Sequence, residues 1–152
     1  MVATRIEIGL NAAIVAVEAQ TPSILAVGNG AGQPEGLPFG RFDPLSHRTM
    51  ELGLRALVEE QTALRLGYVE QLYTFGDRGR HARPGDVGPH VTSVGYLALA
   101  RQSPESLESI ARSGARWRAW YGYFPWEDWR DGRPDILDES ILPYLERWCG
   151  RP

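Results

Sequence analysis

The sequence predicts an α/β fold, with helices on both sides of a mixed sheet. Three observations predict it. Residues 6–17, 24–27, 68–75 and 91–100 are rich in Ile, Val, Leu and aromatic side chains, which suits strands. Residues 44–64 carry a helical apolar period. The order strand–strand–helix–strand–strand–helix, with one strong central helix, fits a sheet covered on both faces.

Each element has its own signal. Ile6 to Val17 is an apolar run fit for a central strand. Gln20-Thr21 reads as a turn, and Pro22 opens a second strand, Ile24 to Val27. Gly28-Asn29-Gly30-Ala31-Gly32 reads either as a phosphate-cradling loop or as a surface loop needing positive φ. The central helix is expected over 44–64, with Asp43 as N-cap, Pro44 at its first position and Gly67 as the stop. Met50, Leu54, Leu57 and Val58 form its apolar stripe, and Glu51, Arg55 and Glu59 recur every four residues on another face.

Tyr68 to Phe75 and Val91 to Ala100 read as strands, joined by a long loop over 76–90. Ser103 and Pro104 can start a short helix, or the stretch can stay a loop; Gly114 ends it in either case. Trp117, Trp120, Tyr121, Tyr123, Phe124, Trp126 and Trp129 then crowd into thirteen residues. They read as a strand and loop plugging the sheet edge, or as an aromatic platform for a base or partner. Ile141, Leu142, Leu145 and Trp148 mark a last amphipathic helix, with Asp138 or Ser140 near its cap and Pro143 in its first turn.

Composition narrows the chemistry. The chain has 152 residues, room for one domain with a real core, and its net charge of −3 argues against a nucleic-acid surface spread over the whole domain. All sixteen basic residues are arginine, which removes Walker-type and Schiff-base lysines but keeps bidentate phosphate recognition. One cysteine, Cys149, excludes an internal disulfide and suits a cytoplasmic setting. No apolar run is long enough to span a membrane. His47, His81 and His90 lack ligand spacing, and no nucleophile elbow is present. Arg78, Arg80 and Arg83 can grip a diphosphate or simply keep the long loop soluble.

The run Arg55-Ala56-Leu57-Val58-Glu59-Glu60 resembles the Arg-Glu-aliphatic-any-Glu-Glu core of the Nudix box. The resemblance implies a Nudix-type α/β/α sandwich and a hydrolase that holds Mg or Mn on box glutamates to cleave nucleoside diphosphate derivatives. This sequence departs from the box in several places. Ala56 stands at a metal-binding glutamate, His47 at an earlier glutamate and Thr62 at the closing glycine, and Gly40 lies one residue off its place. If an ion is held, Glu59 and Glu60 supply part of its site, while Ala56 offers no ligand; taken without the resemblance, Glu51, Arg55 and Glu59 read as ion pairs on a solvated face.

Val69 to Asp77, followed by Val91 to Leu99, is similar to the Nudix-related transcriptional regulators of NAD metabolism and to the ADP-ribose pyrophosphatases near them. That similarity implies a domain sensing an ADP-ribose-type nucleotide, weak or absent in hydrolysis. Arg55, Arg78, Arg80 and Arg83 are then the candidate ligand contacts. One Nudix-like domain is expected over 1–152, as a homodimer, possible as the N-terminal part of a longer regulator whose DNA contact comes from a domain outside this chain. The alternative is a working Mg- or Mn-dependent hydrolase of ADP-ribose or a related nucleotide.

Overall fold

The structure, a computed structural model, describes residues 5–28, 34–77 and 88–150. Its centre is β1 (Ile6–Glu18), hydrogen-bonded along both edges. On one edge it runs parallel to β5 (His90–Leu99), from Ile6 opposite His90 to Val15 opposite Leu99. The other edge is divided. Gly9–Asn11 pair with β3 (Phe39–Arg41), and Val15–Glu18 pair with β2 (Thr21–Ala26). β4 (Tyr68–Phe75) closes one side against β5, and β6 (Arg116–Ala119) closes the other against β2. The order is β4-β5-β1-β2-β6, with β3 also on β1.

Strand alternation divides the side chains between two faces. Leu10, Ala12 and Ile14 of β1 meet Leu25, Val94, Tyr96 and Ala98 in the main core. That face is covered by α1 (Met50–Thr62) and α2 (Pro104–Ser113), through Leu54, Val58 and Ile110. α1 lies close against the sheet at Gly53, where a Cβ would stand 3.0 Å from the Phe42 ring and 3.4 Å from Leu10. Val15, Ile24 and Arg118 share the opposite face by register, and α3 (Trp120–Tyr123) packs there on β2. Together these layers make the expected α/β/α arrangement around a mixed sheet.

The central helix is shorter than the sequence pattern predicts. Asp43 caps a single turn instead, accepting from the Leu45 N–H at 3.0 Å and the Ser46 hydroxyl at 2.6 Å. The helix begins at Met50, where the Thr49 hydroxyl accepts from the Leu52 N–H at 3.2 Å. Pro44 therefore belongs to the turn. Gly67 is not the stop either. Thr62 donates to the Val58 carbonyl at 2.7 Å and accepts from the Leu64 N–H at 3.2 Å, and Ala63 takes the left-handed cap at φ 56°. Ala63→Gly removes the Cβ penalty there and is expected to stabilise the fold by about 0.5–1 kcal/mol, measured by urea unfolding.

The β1–β2 turn sits at Ala19-Gln20, one residue before the expected Gln20-Thr21, with φ values of 45° and 68°. Two positive φ angles are what a tight right-twisted hairpin demands, and neither residue advertises it as Asn-Gly would. Ser103 and Gly114 do cap α2, so that stretch is a helix. Near the end, Pro143 stands in the first turn of the last α-helix, as expected, but helical backbone already precedes that turn. Helical backbone starts at Asp135, widens into a π turn over Leu137–Ile141, and continues as α4 (Leu142–Cys149). Pro143 lacks an N–H and its ring crowds the preceding turn, and the Leu142 N–H bonds to the Leu137 carbonyl across the widened turn. No residue of α4 is buried; Trp148 is 74% exposed. Among the described residues, no helix is long and apolar enough to cross a membrane.

Candidate functional site

Arg55 and Gln61 fasten α1 to its surroundings. Arg55 donates from Nε and Nη2 to one Glu51 carboxylate oxygen at 2.9 and 2.8 Å, and reaches the carbonyls of Leu66 at 2.5 Å and Gly67 at 3.0 Å. These contacts use four of the five N–H donors of a guanidinium, leaving one for any ligand. Gln61 clamps the other side, exchanging hydrogen bonds with the main chain of Phe39 at 2.8 and 3.2 Å. The helix is thereby fastened to β3 and to the segment entering β4.

The carboxylates of α1 are largely paired with arginines. Glu51 pairs with Arg55, and Glu59 with Arg65 at 2.7 Å. Ala56 is exposed on the helix surface. Glu60 is exposed and has no hydrogen-bond or ion-pair partner among the described residues. No three His, Cys, Asp or Glu side chains converge on a metal-sized site among the described residues. A hard cation needs several converging oxygens, and among the described residues Glu59 faces an arginine and Glu60 stands apart from other carboxylates.

Arg78, Arg80 and Arg83 lie outside the described residues, as does His81. The chain that carries them leaves the sheet after Phe75 and re-enters at His90, and His90 Nε2 lies 3.1 Å from the Gly76 carbonyl.

The sequence pattern did not locate a cleft on the opposite sheet face. It has a volume of about 380 Å³ and is lined by Ile24, Ala26, Glu35, Gly36, Leu37, Tyr123 and Phe124. Its aromatic wall is braced. The Trp120 indole N–H donates to Glu127 at 2.7 Å, and Phe124 sits between Trp120 and Trp126 with ring centroids 4.7 and 5.6 Å away. Glu35 receives both arms of Arg118, at 2.6 and 2.5 Å. The one signal for this place was the aromatic run after 116. What hid it was Glu35, which reads as a loop residue until β6 brings Arg118 beside it.

The hydrogen bonds from Arg118 hold the Glu35 carboxyl below the ordinary carboxylate range. A depressed folded pKa means that the pair is complete above the ordinary pKa and is lost as pH falls through the lowered value. An NMR titration is expected to give Glu35 a midpoint below that of a free glutamate, and Arg118→Leu to bring it back up.

No family model and no curated protein matches the sequence. Solved structures do match. The NUDIX domain of Shewanella oneidensis NrtR, complexed with ADP-ribose, is 23% identical, with a TM-score of 0.61 over 97% of this chain and 90% of that one. Shewanella oneidensis NrtR itself is 22% identical, with a TM-score of 0.60 over 77% of this chain. The chain spans about half of that protein's length, 53%. A mutT/nudix family protein from Listeria innocua is 18% identical, with a TM-score of 0.59 over 97% of this chain and 99% of that one. The fold of this chain is the Nudix fold. At these identities the likeness is one of architecture.

Proposed function

We propose that this chain is a ligand-binding domain for an ADP-ribose- or NAD-type nucleotide, with weak or no hydrolase activity, from a regulator of NAD metabolism. The observation that carries it is the box helix: its fastenings to the sheet are intact, while Ala56 replaces a carboxylate and Glu51 and Glu59 face arginines. A frame kept without its metal ligands suits recognition better than bond cleavage. The likeness to a NUDIX domain solved with ADP-ribose supports the choice of ligand. Arg78, Arg80 and Arg83 are the proposed diphosphate contacts, with the last donor of Arg55 in a secondary role.

The domain is proposed as a cytoplasmic homodimer, and contact with DNA as the work of a domain outside this chain. The exposed Leu142, Tyr144, Leu145 and Trp148 of α4 support a partner surface. Calorimetry with ADP-ribose, NAD and ADP tests the central claim. Saturable binding of ADP-ribose, weakened by Arg80→Ala, is the expected result. No binding of any of the three rejects it.

The competing reading is a Mg- or Mn-dependent hydrolase using Glu60, which the described residues leave without a partner. Release of AMP from ADP-ribose decides between them. The sensor reading expects the wild type to leave ADP-ribose intact with either metal, and Ala56→Glu to raise metal affinity more than turnover. Brisk wild-type turnover that disappears in Glu60→Gln establishes the enzyme instead.

A further inference from the structure

We infer that α4 of one copy of this chain lies across the open sheet face of a second copy, and that the exchange is reciprocal. This rests on the homodimer reading above and names its surface. A sheet with helices on both sides hides apolar side chains on both faces. Here the face opposite α1 and α2 is covered in part. α3 packs on β2, where Ile24 is buried, and among the described residues the close helical cover of that face stops there. The register carries the same row onward from Ile24 to Val15, Leu99 and Tyr68. Val15 is half-buried, Leu99 is 53% exposed and Tyr68 is 55% exposed. Val17, the next residue of β1 on this face, is exposed as well.

α4 has the converse property. Tyr144, Leu145 and Trp148 fall at spacings of three and four, which makes an apolar stripe. Yet no residue of the helix is buried, and its close packing is with the π turn before it. The stripe is a cover without a sheet, and the strip over β1, β5 and β4 is a sheet without a cover. Their sizes agree: three neighbouring strands span about 10 Å, the width of one helix with its side chains. Both surfaces are present on every copy, so two copies satisfy each other about a two-fold axis. Taken over two copies, the exposed side chains of both regions amount to on the order of 1,500 Å², within the roughly 1,200–2,000 Å² of a stable interface.

The experiment measures the size and self-affinity of the full chain by analytical ultracentrifugation. The wild type is expected as a single dimeric species. Trp148→Glu and Leu99→Arg are each expected to weaken the dimer at least about tenfold. Both positions are exposed, and circular dichroism verifies that the variants fold. Mixed together, the two variants are expected to recover dimer. One helix–sheet contact of the mixed pair is then wild type on both sides, and the other sets opposite charges together. Hydrogen exchange reads the wild type without any substitution: the amides of 142–149 are expected to slow as concentration rises through the dimer range. If the wild type is dimeric but neither variant weakens it and exchange over 142–149 ignores concentration, the inference fails while the homodimer reading stands. If the wild type is monomeric at every concentration, both fail. If Trp148→Glu alone weakens the dimer, or mixing recovers nothing, α4 pairs with another surface and the inference is overturned. A ladder of species larger than dimers overturns it too, because a reciprocal exchange closes on itself.

Discussion

Leu54→Ala is expected to lower the unfolding free energy by roughly 2–5 kcal/mol, among the largest losses any single substitution should cause here. Leu54 has 0% exposure and sits in the main core with Leu10, Ala12 and Val58. Truncation removes its buried methyls and leaves a cavity. The neighbours are poorly placed to close it, because Gly53 already brings α1 close to Phe42 and Leu10. Urea unfolding followed by circular dichroism measures the effect. A loss under about 1 kcal/mol would show that α1 can settle onto the sheet, contrary to the close contact at Gly53.

Arg55→Leu is the second, with an expected loss of roughly 1.5–3 kcal/mol. The guanidinium satisfies two carbonyls and a carboxylate at once, and its contact with the Leu66 carbonyl is partly buried. Leucine keeps the apolar stem and leaves those three acceptors without their donor. Since the Arg55 side chain is 32% exposed, water recovers part of the loss, which places the expectation below that for Leu54. Lysine restores the charge but cannot reproduce the fork, so Arg55→Lys should recover only a fraction. Amide exchange across residues 64–68 is expected to quicken in both variants. Unchanged exchange and stability would mean that Gln61 and the core alone hold this segment.

The sequence showed most of the frame because burial imposes periods. The stripe through Met50, Leu54, Leu57 and Val58 located the helix, and the apolar runs located β1, β4 and β5. Its ends were less legible, since Asp43-Pro44 is as good a start for one turn as for a long helix. Nothing in Ala63 announces a left-handed cap; the geometry is imposed by the Thr62 hydroxyl and the packing of Leu64. The cleft was hidden for another reason. Its residues come from 24–37 and 123–124, and only the pairing of β6 with β2 brings them together. Pattern along a chain reports which face is buried; it does not report which distant loops share an edge.

The pairing of β1 with β5 also has a consequence for synthesis. Ile6 must wait for His90, and Val15 for Leu99, so the central parallel ladder cannot close until β5 has been made, long after β1. At roughly 5–20 residues per second, several seconds pass between the emergence of the two strands. The β1–β2 hairpin can close within microseconds, but for that interval its other edge is open and apolar. The nascent chain thus carries this adhesive strand well before the strand that covers its edge. Ribosome stalling between residues 18 and 90 is therefore the condition under which this protein should aggregate most.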